Sequence, residues 1–227
     1  MIPVEPMHPY NALYLRDAMN VLGEFFQYGV CDYGSDGPEL AELFCVNPLS
    51  TRFGHGEARL VAGMSGAELL FELDRLLGTK ANTYPEPSVW PGRTPEYWLG
   101  WTAAYVQWHL DLSFAELFDT VPYEEFLALY HPWHEASEQR FSALVAERIQ
   151  RSGLPTQLAR LRRSCRLTQE ELAACSGVSL SSLRMYEQRH KDINKAQAAT
   201  LLRLARALHC TMEDLLEPAC LHRTHAA

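Results

Sequence analysis

The aromatic residues of this chain lie almost entirely in its first two thirds. All five Trp, all nine Phe and nine of the ten Tyr precede residue 150, and Tyr186 is the exception. The charge changes at the same place. Residues 1–150 hold 8 Lys and Arg against 21 Asp and Glu, a net charge of −13, whereas residues 151–227 hold 12 against 7, a net charge of +5. Two domains with differently built cores are predicted.

The composition indicates a folded, cytoplasmic protein. Hydrophobic residues make up 47% of the 227 residues and charged residues 21%, which is typical of a chain with a buried core. No apolar run approaches the roughly 20 residues of a membrane span, and the first residues do not form a signal peptide. The six cysteines lie far apart without a Cys-x-x-Cys pair, so we expect reduced, mostly buried thiols.

Helical periodicity dominates residues 1–150 and predicts an all-α domain. Ser65 and Glu68 form a capping-box pattern that opens a helix ending near Gly78, and Thr94 with Pro95 is a typical start for another. Other helices are predicted over residues 11–30, 113–119, 122–130 and about 134–150. Residues 31–63 carry the weakest pattern.

Three features of the acidic region invite a functional interpretation. Aromatic residues recur every three or four positions at Trp98, Trp101, Tyr105 and Trp108, which favours a buried stripe but also fits a ligand pocket or a partner-binding face. The segment 131–135 lacks the His-Glu-x-x-His spacing, and the segment 54–56 lacks the third glycine of a phosphate loop. We therefore expect no metal and no cofactor. The region's role as an effector-binding, partner-binding or dimerisation domain stays open.

The basic region begins with an apolar stripe at Leu154, Leu158, Leu161 and Cys165 on a first helix. Thr168 and Glu171 then form a second capping box, and the helix that they open stops at Ser176-Gly177. Ser179 caps the next helix, in which Leu183 and Tyr186 face inward. Two short helices joined through a glycine turn predict a helix-turn-helix.

Residues 154–217 closely resemble the XRE family, which includes the Cro and lambda-type repressors. The resemblance rests on Leu-Thr-Gln-Glu-Glu-Leu-Ala at 167–173, Ser-Gly-Val-Ser at 176–179, Tyr-Glu-Gln at 186–188 and the end of the region at 212–216. It implies a lambda-repressor-like bundle of five short helices over about residues 151–220. It also implies binding to double-stranded DNA, commonly as a homodimer. The tail at 221–227 shows no folding pattern, and we expect it to be disordered.

The resemblance also implies roles for individual residues. Arg162 and Glu187 occupy the positions of a structural salt bridge, and Gln169 that of a phosphate contact. Arg184 could offer two donors to guanine, and Leu180 or Met185 could touch a thymine methyl. The loop after the second helix replaces the family's expected glycine with Arg189, places basic side chains beside the groove, and brings Asn194 to cap the fourth helix. The full set of predicted DNA-binding residues is Gln169, Ser179, Leu180, Ser181, Arg184, Met185, Gln188, Arg189, Lys191 and Lys195.

These patterns predict a sequence-specific transcriptional regulator that acts as a repressor, and not an enzyme. A second hypothesis is an antitoxin-like protein, in which the acidic region neutralises a protein partner while the helix-turn-helix represses its own operon. The segments 61–66 and 95–101 resemble the N-terminal region of XRE-type regulators from anaerobic gut bacteria. A small-molecule effector for the acidic region is a third alternative, because a helical domain rich in aromatic residues can enclose a pocket.

Overall fold

The computed structural model describes residues 8–79, 83–152 and 155–217. The chain divides into two compact units, Met1–Arg148 and Ile149–Ala227, called the N-terminal and C-terminal units below. Every regular element in the described part of the chain is helical, as predicted. None of the helices described is both long and apolar enough to cross a membrane. Of the predicted seam 151–155, residues 153 and 154 lie outside the described residues, as does the tail 221–227.

The helices of the N-terminal unit begin with a single 3₁₀ turn, Ala12–Tyr14, and α1 ends in a π-helical turn, Tyr28–Asp32. The α-helices are α1 Leu15–Gln27, α2 Gly37–Val46, α3 Pro48–Gly54, α4 Ala58–Val61, α5 Gly66–Leu77, α6 Pro95–Leu110, α7 Phe114–Thr120, α8 Tyr123–Ala128, α9 Tyr130–Trp133 and α10 Glu138–Ser152.

The helix starts predicted at Ser65 and Thr94 are confirmed, whereas the helix predicted from about residue 134 begins at Glu138. Ser65 and Glu68 form a complete capping box at the start of α5, which ends at Gly78 with φ +73°, and Thr94 accepts a hydrogen bond from the Tyr97 amide at the start of α6. Each cap satisfies amides that the first helical turn leaves without a partner. The segment 31–63, where the pattern was weakest, contains α2, α3 and α4.

The core of the N-terminal unit is built around the contact between α1 and α6. Gly23 and Gly100 lie where these helices meet, and a Cβ at Gly100 would stand 2.1 Å from the carbonyl oxygen of Leu22. Because the two backbones approach so closely, α6 is enclosed on most sides, from Leu99 to Leu110. A helix that is apolar on nearly all sides belongs in the interior of a domain.

The aromatic stripe on α6 is only partly core. Trp98 and Trp108 are buried, at 9% and 8% exposure, whereas Trp101 and Tyr105 are partly exposed. The Trp108 indole donates to the backbone oxygen of Tyr10, and its ring stacks on His8 at 3.5 Å. The prediction of a wholly buried stripe is therefore right for two of the four residues.

The C-terminal unit is a small bundle with an aliphatic core. Its helices are α11 Gln157–Ser164, α12 Gln169–Ser176, α13 Leu180–Glu187 and α14 Ala198–Leu208, with 3₁₀ turns at Ile193–Lys195 and Glu213–Leu215. Leu158, Leu172, Leu183, Leu204 and Leu215 are at most 1% exposed. The fifth element of the predicted bundle is thus a 3₁₀ turn, and Leu154 lies outside the described residues.

The cysteines are less buried than predicted. The five described cysteines are free thiols; four are partly buried and Cys175 is exposed, while Cys220 lies outside the described residues. Their sites explain this result. Cys165 and Cys210 pack at the edge of the aliphatic core, and Cys175 lies on the outer side of the short helix α12.

Candidate nucleic-acid interface

Two short helices joined by a tight turn form the centre of the C-terminal unit. Thr168 and Glu171 make the capping box that starts α12, and Gly177 ends that helix with φ +67°. Ser179 then accepts a hydrogen bond from the Ser182 amide and starts α13. A residue with a Cβ is strained at this φ, so the glycine is what permits the abrupt change in chain direction.

The inner side of the motif fixes the orientation of α13. Leu183 is fully buried and Tyr186 is 4% exposed, as predicted, and both belong to the aliphatic core. The Ser176 hydroxyl donates to the backbone oxygen of Leu172 and accepts from the amide of Val178, which fixes the turn from within. The opposite side of α13 is therefore turned to solvent.

The predicted base-contacting residues share that outer side. Ser179, Ser181, Arg184 and Gln188 are exposed, Met185 is 41% exposed, and Leu180 is partly exposed. A methionine exposed to this degree has little to pack against within the unit. The outer side of α13 thus combines hydroxyl, amide, guanidinium and apolar groups, which are the kinds of group that read base edges in a major groove.

A buried ion pair connects α11 to α13. Arg162 Nε and Nη2 donate to the two carboxylate oxygens of Glu187 at 2.7 and 3.0 Å, and the side chains are 12% and 6% exposed. Arg162 also donates to the backbone oxygen of Leu167 at 2.7 Å. Nε, Nη1 and Nη2 of the guanidinium thus each donate to an acceptor, and the ion pair holds α13 against α11.

Gln169 extends this network to the surface. Its Nε2 donates to Glu187 at 2.7 Å, and its Oε1 accepts from Arg184 Nε at 3.4 Å. Arg184 also donates to Glu170 at 2.9 Å in a pair whose side chains are about half exposed, at 51% and 61%. Exposed pairs of this kind contribute little and exchange partners at small cost, about 0–1 kcal/mol. These contacts orient the Arg184 side chain over α12, but they are weak enough for the side chain to move to another partner.

Arg189 forms a buried ion pair within the C-terminal unit. Its backbone adopts φ +54°, which supplies the left-handed residue that the family's glycine provides, and its guanidinium pairs with Glu217 at 3.0 Å. The two side chains are only 13% and 2% exposed. This charge is engaged in a buried ion pair, and a DNA contact of Arg189 stays a prediction.

Glu217 is a structural residue that the sequence patterns did not reveal. Besides Arg189, its carboxylate accepts from the amide of Gln157 at 2.6 Å, and its backbone bonds with the side chain of Asn194. The prediction that Asn194 caps the fourth helix is wrong, because α14 begins at Ala198 after Gln197. A single Glu near the end of the C-terminal unit gives no local signal of such contacts.

A basic cleft lies beside the start of α13. It has a volume of about 450 Å³, and its lining includes Ser182, Lys191, Lys195, Thr200 and Arg203. Lys191 and Lys195 were predicted as DNA contacts, and both are exposed. Lys195 forms only a loose pair with Asp192 at 3.4 Å, and the Lys191 ammonium lies 5.2 Å from the Tyr186 ring centre.

Ser182, Thr200 and Arg203 were absent from the predicted set. Arg203 lies one turn into α14, where its guanidinium donates to the backbone oxygens of Ala199 and Gly177. The start of α14 and the start of α13 both contribute to the cleft. The amides and partial positive charge of helix starts favour phosphate oxygens, and this signal was available from the predicted helix boundaries.

Comparison with known families agrees with this geometry. A helix-turn-helix family model matches residues 158–215. No curated protein and no solved structure matches the chain. Residues 158–215 are thus an XRE-family helix-turn-helix, and this unit supports a role in DNA binding.

Proposed function

We propose that the protein is a transcriptional repressor that reads its operator with α13 in the major groove. The observation that carries the proposal is the outer side of α13, where Ser181, Arg184, Met185 and Gln188 are exposed while Leu183 anchors the opposite side. In helix-turn-helix proteins the second helix of the motif enters the groove and contacts base edges. Repression follows when the bound protein blocks access to a promoter.

Arg184 is the principal candidate for reading a base. Its side chain is 51% exposed and pairs with Glu170, which is also exposed. Guanidinium groups bind guanine through two parallel hydrogen bonds, and one such contact discriminates between bases by about 1–3 kcal/mol. Met185 and Leu180 provide apolar contact for a thymine methyl. The interface thus combines one strong polar contact to a base, from Arg184, with weaker apolar contacts.

The basic cleft and the start of α12 supply the phosphate contacts in this proposal. Lys191, Lys195 and Arg203 present cations beside the helix starts. A carboxamide has two N–H groups, and one N–H of Gln169 Nε2 donates to Glu187. The other N–H can donate to a phosphate of the DNA backbone at the start of α12. Phosphate contacts set position and affinity, whereas the outer side of α13 sets sequence preference.

A homodimer is part of the proposal. Two copies would place their α13 helices about 34 Å apart on one side of the duplex and read a two-fold operator. Four or five neutralised phosphates per subunit give a dependence of log K on log salt with a slope of about −7 to −9 for the dimer.

Substitution of Arg184 distinguishes contact with specific bases from general electrostatic attraction to DNA. Fluorescence anisotropy of the full chain would be measured on the DNA upstream of its own gene and on a shuffled sequence. Arg184→Ala should weaken binding to the upstream DNA by about 5-fold to 150-fold, the range of 1–3 kcal/mol, and affect the shuffled DNA much less. Arg163→Ala is the matched control, because Arg163 is an exposed arginine on α11 outside the motif and the cleft. Equal losses for both variants on both sequences would contradict base reading by Arg184.

The antitoxin-like alternative draws its support from the acidic region. A net charge of −13 over residues 1–150 is unfavourable near DNA and suits a basic protein partner. Under this alternative, the product of the adjacent gene binds the protein and relieves repression. Co-purification of the two proteins would favour this alternative over a solitary repressor.

A further inference from the structure

An aromatic pocket opens in the N-terminal unit, well away in sequence from the helix-turn-helix. It has a volume of about 180 Å³, and its aromatic walls are Trp98, Trp101, Tyr130, Trp133 and Phe141. A cavity of roughly 150 Å³ holds one benzene molecule, so this pocket has room for one small ligand. The rings come from α6, α9 and α10, and their positions are fixed by edge-on packing, with Trp98 5.4 Å from Phe141 and Trp133 5.7 Å from Phe141.

Thr102 and Glu138 are two of the polar residues that line this pocket. The Thr102 side chain is 1% exposed, and its hydroxyl has no hydrogen-bond partner among the residues that the structure describes. Glu138 lies beside the rings, where one carboxylate oxygen accepts from the Trp101 indole N–H at 2.7 Å. A buried hydroxyl without a partner is costly, by about 1–3 kcal/mol as judged from mutational data. The pocket thus offers a hydrogen-bonding group and a negative charge that the packing of the unit does not fully use.

A cation of the chain itself already rests at the rim. The Arg93 guanidinium lies 4.4 Å from the ring centre of Trp101 and 4.8 Å from that of Tyr97. Arg93 is exposed and belongs to the loop before α6. Aromatic faces attract cations within about 6 Å of the ring centre, and the position of Arg93 shows that these faces are accessible to one.

We propose that this pocket binds a small organic ammonium cation with apolar substituents around its charge. The aromatic faces hold the cation, Glu138 supplies the counter-charge, and the Thr102 hydroxyl accepts from or donates to a polar group of the ligand. The surrounding region carries a net charge of −13, which favours cations over anions. Arg93 occupies the outer ring faces until the ligand replaces it. The inference does not depend on DNA binding.

Calorimetric titration of the full chain without DNA tests the proposal. The probes are choline and 3,3-dimethylbutan-1-ol, which has nearly the same shape but a carbon in place of the charged nitrogen. We expect choline to bind about tenfold or more tightly than the neutral alcohol, because the attraction between a cation and desolvated aromatic rings corresponds to a factor of at least that order. Absence of choline binding, or equal affinity for both probes, would overturn the proposal.

Three variants sharpen the test. Glu138→Gln keeps an acceptor for the Trp101 indole but removes the charge, and should weaken choline binding severalfold without changing the affinity for the alcohol. Arg93→Ala should strengthen choline binding because it uncovers the ring faces. Arg140→Ala removes the same charge from α10 and serves as the control. An equal gain for Arg93→Ala and Arg140→Ala, or no effect of Glu138→Gln, would refute the assigned contacts.

Discussion

The two units of the chain are built from different side chains. The N-terminal unit packs ring against ring, as in Phe25 with Phe26 at 5.1 Å and Phe44 with Phe114 at 5.2 Å. The C-terminal unit packs leucines around Tyr186 and fastens short helices with buried ion pairs. A small bundle buries little apolar surface, so its stability depends more on a few polar contacts. The larger unit depends instead on close packing at helix crossings.

The largest effect is expected when the ion pair between α11 and α13 is broken on one side. Arg162→Met leaves the Glu187 carboxylate buried without its cation and should destabilise the C-terminal unit by about 3–5 kcal/mol. Replacing both partners, with Arg162→Met and Glu187→Leu, should recover much of this loss. Urea unfolding followed by circular dichroism measures the change.

The tryptophan signal provides the internal comparison for this variant. All five Trp precede residue 150, so their fluorescence follows only the N-terminal unit. We expect the fluorescence transition to keep its midpoint in Arg162→Met. An equal shift of both signals would show that the two units do not respond separately.

Gly100→Ala should produce the largest defect in the N-terminal unit. The added Cβ would stand 2.1 Å from the carbonyl oxygen of Leu22, so α1 and α6 would have to separate. Overpacking of this kind costs about 1–3 kcal/mol, and more when backbone must move. The midpoint of the tryptophan fluorescence transition in urea measures it. Gly92→Ala is the control, because a Cβ there meets open space and should leave the midpoint unchanged.

Gly177→Ala tests the turn of the helix-turn-helix, with a smaller expected effect. No atom lies within 4 Å of a Cβ built there, so the penalty comes from the φ of +67° alone and amounts to about 1–2 kcal/mol. Gly177→Asn should cost less, because Asn tolerates the left-handed region better than Ala. Thermal unfolding followed by circular dichroism compares the two variants. A loss for Asn as large as that for Ala would mean that crowding, and not φ, is limiting.

The smallest expected effect is a pH dependence that belongs to the N-terminal unit. Burial, with a further contribution from His8, lowers the pKa of His109 below its usual value. The unfolded chain therefore takes up a proton near pH 6.5 that the folded unit resists, so stability is full above that pH and falls as the pH is lowered. Urea midpoints by tryptophan fluorescence at pH 7.5 and 5.5 should show this loss. His109→Gln should reduce it, whereas the exposed His131→Gln should not.

The C-terminal unit was largely predictable because its signals are local. The Thr168 capping box, the Gly177 turn and the inward positions of Leu183 and Tyr186 all follow from spacing within a few residues. The contacts of Glu217 were not predictable in this way, because they join residues 23 to 60 positions apart. The ion pair of Arg189 was not predictable either, because its partner Glu217 lies 28 positions away.

The N-terminal unit was predictable in its helices but not in its pocket. Spacing indicated the aromatic side of α6, yet it could not separate the buried Trp98 from the partly exposed Trp101. That difference depends on where α9, α10 and the loop before α6 lie, which is a matter of tertiary packing. Periodicity identifies a side of a helix but not what covers it.

The salt dependence of DNA binding by the full chain tests the central claim most directly. Fluorescence anisotropy would be measured on the upstream DNA and on shuffled DNA from about 50 to 200 mM salt. We expect a slope of log K against log salt of about −7 to −9 and a preference for the upstream DNA of about 10³ or more. A slope near zero, or equal affinity for the two sequences, would contradict a regulator that binds phosphates with the basic cleft and contacts bases with α13.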